Sequence, residues 1–227
     1  MLIPGLSNKD AESVFVGTTQ AAAVYLGTTQ VWPTSTGTPG VMGENLVINT
    51  SNNAAGASRT LTIPAGATKF DVVLIGGGGG GGDGGTLGPG EGGGCGTWKT
   101  GTYTVGTDYP AGHVLQLFVG TGGDGGDALI NTGGKAGISV SLMATDGTAK
   151  LSSGGGSPGS MPDRTGATPA DITFNGRTYK GGAGGVSSNQ NGVNGNAPGG
   201  GGQGGNDEIT GTNGGKGGSG GVYLYFY

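Results

Sequence analysis

The sequence predicts a mainly β protein with polyglycine-II helices, in which a short N-terminal β-repeat module is followed by a glycine-rich β/polyglycine sandwich domain. Glycine makes up 60 of the 227 residues, against an average usage of about 7%. The glycines fall in clusters, and between the clusters apolar and polar residues alternate as they do in half-buried strands. No α-helix is predicted, because glycine costs about 1 kcal/mol per α-helical position and proline about 3.

The first 43 residues contain a short repeat. VFVGTTQ at residues 14–20 returns as VYLGTTQ at residues 24–30, and the second copy leads into Val31 and Trp32. Each copy predicts a strand followed by a turn. Two short strands do not form a stable unit alone, so the repeat is expected to pack against another chain or a symmetry mate. The predicted division is an attachment module at residues 1–32, a linker at 33–43 and the glycine-rich domain at 44–227.

Alternating segments predict the strands of the larger domain. RTLTIPAG (59–66) and KFDVVLIG (69–76) flank a Pro-Ala-Gly turn and predict a hairpin, and Asn175–Gly176 is the sequence of a tight hairpin turn. In the terminal VYLYFY, aliphatic residues alternate with tyrosines, which predicts one buried face and a tyrosine face that contacts a partner. The other predicted strands are GTYTVG (101–106), HVLQLFVG (113–120) and GISVSLMA (137–144).

The glycine clusters predict a second kind of packing. A polyproline-II-type helix has three residues per turn and no internal hydrogen bonds, so such helices must bond to their neighbours. Only glycine allows them to approach closely enough. The run that follows VVLI directly is predicted to be one rod of this bundle, and its residues are Gly76, Gly77, Gly78, Gly79, Gly80, Gly81 and Gly82. The clusters lie near residues 76–85, 88–96, 120–126, 133–137, 154–159, 181–185, 199–205 and 214–221.

Other glycine-rich motifs fit the sequence poorly. GPGEGG at residues 88–93 matches the dinucleotide pattern G-x-G-x-x-G, but no helix follows to bind a pyrophosphate. The Walker loop also fails, because Leu129 and Thr210 occupy the place of its first glycine. The strict G-X-Y period and high proline content of collagen are absent. Glycine is therefore interpreted as the building material of the fold.

The sequence offers little for catalysis or metal binding. The single histidine is His113 and the single cysteine is Cys95, so neither a disulfide nor a Cys/His metal spacing is available. GGDGGDALI matches the calcium-binding nonapeptide through Asp127 and Leu129, but it occurs once, whereas calcium rolls need tandem copies. We therefore expect no enzyme activity, no metal and no cofactor.

Charge and hydropathy narrow the partners and the location. A net charge of −4 provides no basic face, so nucleic acid is not an expected partner. The first residues lack the pattern of a signal peptide and no 18 apolar residues run together, so we expect synthesis in the cytoplasm and no membrane insertion.

Three stretches carry a family resemblance. SRTLTIPAGATKFDVVLIGGGGGGG, GTWKTGTYTV and LQLFVGTGGDGG, with glycine blocks up to a terminal strand, resemble the glycine-rich domain of phage minor tail proteins over residues 44–227. The construction is also similar to the distal tail-fibre adhesins of T-even-like phages, in which polyglycine helices pack in a sandwich and the intervening loops bind the host. VYLGTTQVWP resembles the N-terminal modules of minor tail proteins from siphophages, including many phages that infect actinobacteria. Candidate attachment residues at the matching positions are Val24, Leu26, Val31 and Trp32.

The resemblance implies a virion structural protein of the tail tip, an adhesin or a tip decoration, with other tail-tip proteins as partners and a homotrimeric state. Loops 157–170 and 186–198 are predicted to be least constrained by glycine packing, and their polar residues would suit a host-surface glycan; solvated connections without a ligand remain an alternative. The candidate host-binding residues are Met161, Arg164, Gln190, Asn191 and Asn194. An ice-binding protein and an extracellular polyglycine-II structural protein are the other classes that fit the composition.

Overall fold

The computed structural model describes the backbone of short strands between residues 15 and 39, and residues 40–48, 56–85, 88–130, 132–144, 147–159, 163–186, 191–207 and 211–227. In these residues the protein is mainly β and contains no α-helix, as the sequence predicts. Each copy of the N-terminal repeat forms two paired antiparallel strands, where the sequence predicts one strand and a turn. These strands are β1 (Phe15–Val16), β2 (Thr19–Gln20), β3 (Val24–Leu26) and β4 (Thr29–Trp32).

Two larger sheets form the body of the domain. One has the strand order β12-β11-β10-β7-β5 and the other the order β6-β15-β8-β9, and all neighbours are antiparallel except β5 and β7. A hairpin, β13-β14, lies outside both sheets. The strands are β5 (Thr38–Pro39), β6 (Gly43–Ile48), β7 (Ala57–Thr62), β8 (Lys69–Ile75), β9 (Trp98–Thr104), β10 (Val114–Val119), β11 (Val140–Met143), β12 (Ala149–Ser153), β13 (Ile172–Phe174), β14 (Arg177–Tyr179) and β15 (Gly221–Phe226).

The two sheets pack face to face around one apolar core. Alternate residues of β8 and β15 point towards the other sheet, which supplies alternate residues of β7, β10 and β11. Burial of each large side chain contributes about 1.5–3 kcal/mol relative to its exposed state, so this core supplies most of the apolar stabilisation. Its fully buried members include Phe70, Val72, Leu74, Val222, Leu224, Phe226, Leu115, Leu117, Val119, Val140 and Leu142.

The predicted hairpin between RTLTIPAG and KFDVVLIG is wrong. β7 pairs with β10 and β5, whereas β8 pairs with β15 and β9 in the opposite sheet. The turn between them, in which Gly66 has a φ of +86°, carries the chain from one sheet to the other. The predicted hairpin at Asn175–Gly176 is confirmed, and the positive φ of both residues, +47° and +77°, is that of a type I′ turn.

The outer face of β8 and β15 is covered by the β13-β14 hairpin. Val73, Tyr179 and Tyr223 form a second buried cluster, with Trp98 packed against it. The prediction that the terminal tyrosines face a partner is therefore wrong for Tyr223, which is only 9% exposed. The chain covers that ring itself.

Asp71 fixes the same hairpin to the sheet. Its carboxylate is 1% exposed and accepts hydrogen bonds from Thr102 Oγ1 at 2.6 Å, Asn175 Nδ2 at 2.8 Å and the Tyr227 hydroxyl at 2.5 Å. The bond to Asp71 raises the pKa of Tyr227. The guanidinium of Arg177 lies 3.2 Å from the centre of the Tyr225 ring. One buried carboxylate thus joins β8, β9, the hairpin turn and the last residue.

Replacing Asp71 by alanine is expected to destabilise the protein by about 2–4 kcal/mol, because three donors lose their acceptor in a buried site. Tyr227→Phe, which removes one of the three bonds, is the matched control and is expected to cost about 1 kcal/mol. Urea unfolding of both variants measures the difference. Equal losses would contradict a central role for the carboxylate.

Candidate functional site

The run Gly76–Gly82 continues β8 and lies at the centre of an array of glycine segments. Gly77 and Gly80 donate to the carbonyls of Ile138 and Lys135, and Gly78 and Gly81 donate to Gly218 and Gly215. Gly79 and Gly82 donate in the same way to residues 94 and 91. Every third N–H therefore bonds to the same neighbour, and all three of these neighbours run antiparallel to the central segment.

The carbonyls of the central segment follow the same period of three. They accept from residues 123 and 126, from 156 and 159, and from 202 and 205, which belong to three further segments that run parallel to it. The central segment thus has six hydrogen-bonded neighbours. The N–H groups of residues 76–82 and the carbonyls of residues 77–82 are all paired, although residues 76–81 are buried, which is what burial of a backbone requires.

Side chains are excluded from the centre of the array. A Cβ atom at any of Gly76–Gly81 would overlap a backbone carbonyl oxygen of a parallel neighbour. At Gly82 the nearest atom, the amide nitrogen of Glu91, would lie 3.4 Å away, which is an ordinary contact. Six of the seven residues in the predicted rod must therefore be glycine, whereas Gly82 has room for a side chain. Two residues further on, a Cβ atom at Gly84 would again overlap a carbonyl oxygen, that of Asn206.

The far end of the array is where the glycine segments are joined in pairs. The central segment and its parallel neighbours lead away from the sheets, and the antiparallel segments return to β9, β11 and β15. At residues 82–83, 89–91, 133–134 and 158–159 this end has a shallow open depression of about 390 Å³, bordered by Asp83, Glu91 and Pro89. Connections gathered at one end of a rigid scaffold are a common location for binding residues.

Three of the predicted host-binding residues lie within the array. Arg164 Nε donates to the carbonyl of Gly204 at 3.2 Å, Asn194 Oδ1 accepts from the N–H of Lys216 at 2.8 Å, and Asn191 Oδ1 accepts from the N–H of Asn213 at 3.3 Å. The expectation that loops 157–170 and 186–198 are least constrained by glycine packing is therefore wrong for residues 163–168 and 191–196. Met161 and Gln190 lie outside the described residues, as do the side chains of Val24, Leu26, Val31 and Trp32.

The sequence analysis missed the most exposed apolar residues of this end. Leu129 and Ile130 are 89% and 70% exposed, and they follow Asp127 in the turn that joins residues 120–126 to 133–138. The sequence signal for this pair is the adjacent Leu-Ile at the end of GGDGGDALI, two apolar residues in an otherwise glycine-rich turn. At the opposite end Val41, Met42 and Leu46 are each at least half exposed.

The two acids of the nonapeptide have other partners. Asp124 pairs with Lys216 at 3.0 Å and Lys135 at 3.5 Å, and the hydrogen bond from Lys216 lowers the pKa of Asp124. Asp127 Oδ1 accepts from the N–H of Leu129 at 3.0 Å. The described part of the chain contains no group of three or more His, Cys, Asp or Glu residues suited to a metal ion. It also contains no helix long and apolar enough to span a membrane.

Removal of calcium with EDTA is expected to leave the melting temperature unchanged within about 1 °C, because only an ion that binds the native state would stabilise it by mass action. Differential scanning calorimetry measures the melting temperature in EDTA and in calcium chloride. A calcium concentration of about 5 mM is sufficient, because it exceeds the dissociation constants of ordinary protein calcium sites. A drop in EDTA that calcium reverses would contradict the structural roles given to Asp124 and Asp127.

A family model matches most of the chain. This family is described as a glycine-rich domain, and its model matches residues 50–227, which contain every described glycine segment. The chain belongs to this glycine-rich domain family. The match begins just before β7, so β5, β6 and the N-terminal repeat precede it.

Two curated relatives of the glycine-rich domain protein come from phages. The chain is 38% identical over 133 residues to the Gene 32 protein of Mycobacterium phage D29, which covers 55% of this chain and 59% of the relative. It is 36% identical over 139 residues to the Gene 32 protein of Mycobacterium phage L5, which covers 59% of this chain and 63% of the relative. The matched part spans about six tenths of each relative. These likenesses support a phage-encoded protein.

Proposed function

We propose that this glycine-rich domain protein is a structural protein of the phage virion, a minor tail protein of the tail tip without enzymatic activity. The observation that carries the proposal is that the chain enters the domain at one end and the connections between glycine segments lie at the other end. The chain reaches the domain at the sheet end, where the N–H of Gly40 donates to the carbonyl of Thr62 and β5 pairs with β7. The connections between glycine segments lie at the other end, which would then face outwards.

We infer that the glycine segments are polyglycine-II helices. Three features support this assignment: hydrogen bonds recur every third residue, each segment bonds to its neighbours, and the positions at the centre have no room for a Cβ atom. Because six neighbours hold the central segment, it cannot bend without breaking several hydrogen bonds. The array would then be a stiff body that holds the outer connections at a fixed distance from the sheets.

The proposed partners are other tail-tip proteins and two further copies of this chain. Residues 1–32 are proposed to attach the protein to the tail, with Val24, Leu26, Val31 and Trp32 as contact residues. Val41 and Met42 support contacts at the same end of the domain, because Asn45 fixes their turn: its side chain accepts from the N–H of Val41 at 3.0 Å and donates to the Val41 carbonyl at 2.7 Å. Exposed apolar residues on a fixed turn are typical of interaction sites.

Labelling of purified phage particles tests the proposal. Antibodies against the glycine-rich domain are expected to mark the tail tip in electron micrographs, and light scattering of the purified chain is expected to give the mass of a trimer. Absence of the chain from particles purified through two density gradients would overturn the virion assignment. A monomer both in solution and on the particle would overturn only the trimer.

A further inference from the structure

The turn at residues 127–132 presents two adjacent aliphatic side chains to solvent. Leu129 and Ile130 are the most exposed large apolar residues in the described part of the chain, at 89% and 70%. Isolated exposed aliphatic residues are common on protein surfaces, but an adjacent pair at the far end of a rigid scaffold indicates a contact site. The turn lies where the segment that continues β10 is joined to the segment that leads into β11.

Hydrogen bonds hold this turn in one conformation. Asp127 and Thr132 exchange two backbone hydrogen bonds of 3.0 and 3.1 Å, and Asp127 Oδ1 accepts from the N–H of Leu129. The N–H of Ala128 donates to Asn213 Oδ1 at 2.9 Å, which joins the turn to the neighbouring segment. The pair is thus preorganised, and little conformational entropy would be lost when Leu129 and Ile130 enter a partner.

The charge around this end is negative. Among the described residues of the glycine segments and their connections, six are acidic and three are basic. The acidic residues are Asp83, Glu91, Asp124, Asp127, Asp163 and Asp207, the basic residues are Lys135, Arg164 and Lys216, and both lysines pair with Asp124. A partner whose border is basic would therefore be attracted, and anionic lipid headgroups or phosphate polymers would be repelled.

Aromatic residues are absent from the glycine segments and their connections. No Phe, Tyr or Trp occurs in residues 71–97, 119–173 or 180–222. Sugar-binding sites commonly stack pyranose rings on aromatic side chains, and this end offers none. Two aliphatic side chains on a fixed turn instead fit an apolar recess of matching shape, which a folded protein can provide.

We propose that Leu129 and Ile130 insert into an apolar recess, bordered by lysine or arginine, of a protein on the host surface. This proposal rests on the proposed function, because it needs the far end to face the host. The acidic residues around the turn would steer the encounter, and the aliphatic pair would supply the contact that persists in the complex.

Phage particles that carry Leu129→Ser and Ile130→Ser together test the proposal. Their adsorption rate to host cells is expected to fall by about tenfold or more, because polar side chains cannot replace apolar contacts in a recess. The matched control, Leu129→Met with Ile130→Val, keeps both residues apolar and is expected to adsorb within about twofold of wild type. Immunoblots of the particles measure incorporation, which should be equal in all three.

Charge and partner class are tested on the same particles. Asp207→Asn with Glu91→Gln is expected to slow adsorption about twofold to fivefold at low salt and to have little effect at 0.5 M NaCl. Protease treatment of the cells is expected to abolish the difference in adsorption rate between wild type and the serine variant. Periodate treatment of the cells is expected to leave that difference unchanged.

Two failures are distinguishable. Absence of the wild-type chain from the particles overturns the proposed function and this inference with it. Normal incorporation with wild-type adsorption of the serine variant overturns the inference alone. Loss of adsorption after periodate but not protease would assign the contact to a glycan. Binding of the wild type, but not of the serine variant, to phosphatidylcholine vesicles would assign it to lipid. Either result also overturns the inference.

Discussion

Replacement of Gly79 by alanine is expected to destabilise the glycine-rich domain by about 3 kcal/mol or more, at the upper end of the cost of overpacking. The new Cβ atom would overlap the carbonyl oxygen of Ser157. That oxygen is part of a neighbouring backbone and accepts a hydrogen bond of 2.9 Å from the N–H of Gly94. No side-chain rotation can relieve the overlap, so whole segments must separate and their hydrogen bonds must lengthen.

Two alanine substitutions provide controls with the same chemical change. At Gly133 no atom lies within 4 Å of the position a Cβ would take, and at Gly82 the nearest lies 3.4 Å away. Alanine at such sites restricts the unfolded chain and is expected to stabilise by up to about 1 kcal/mol. For a chain of this size a loss of 3 kcal/mol corresponds to a fall of about 6–12 °C in melting temperature. Similar melting temperatures for all three variants would contradict the packed array.

The strands with clear alternation were predictable from the sequence. β10, β11 and β15 lie within segments predicted from their period of two, and the β13-β14 hairpin was predicted from its Asn175–Gly176 turn. β12 (AKLSS) was missed because it contains one large apolar residue, Leu151, and is stabilised by pairing with β11. Tertiary pairing of this kind leaves no local signal.

The partner of a strand was harder to predict than its position. The Pro-Ala-Gly turn after β7 suggested a hairpin, yet β7 and β8 belong to opposite sheets. Turn residues encode a reversal of the chain, but they do not encode whether the chain returns to the same sheet or crosses the core. The alternation of β8 gave no warning, because both of its faces are buried, one by the other sheet and one by the β13-β14 hairpin.

All eight predicted glycine clusters lie in the array, and two further segments were missed. Residues 191–196 (NGVNGN) are one of them, and only Gly192 and Gly195 would have shown it. A Cβ at either position would overlap a carbonyl oxygen of the segment 199–205. Glycine at every third position is enough where only one side of a segment faces the array, whereas a segment with six neighbours needs glycine throughout. An uninterrupted run of glycines therefore indicates a segment at the centre of the array, and glycines spaced three residues apart indicate a segment at its edge.

The structure shifts the evidence for a partner-binding surface from the C-terminal tyrosines to the N-terminal repeat. The terminal tyrosines no longer argue for a partner, since Tyr223 is buried by the chain itself and the hydroxyl of Tyr227 bonds to Asp71. The argument for attachment therefore rests on the N-terminal repeat. Its paired strands are each two to four residues long, too short for independent stability.

Deletion of residues 1–32 is expected to abolish incorporation into virions and to leave the glycine-rich domain folded. The truncated chain keeps β5 and β6, the core between the two sheets and every described glycine segment, so its melting temperature should stay within about 2 °C of the full chain, a change of under about 1 kcal/mol. Immunoblots of purified particles measure incorporation, and calorimetry of the purified chain measures folding.

A double substitution tests whether loss of incorporation comes from lost attachment contacts or from the shorter chain. Val31→Ala with Trp32→Ala keeps all residues and is expected to reduce incorporation at least about fivefold, because large apolar side chains commonly dominate the binding energy of an interface. Replacement of Thr34 and Ser35 by alanine, just beyond the module, serves as the control and should incorporate normally. If the truncated chain enters particles at the wild-type level, residues 1–32 are not the attachment module, and the exposed residues Val41 and Met42 become the next surface to substitute.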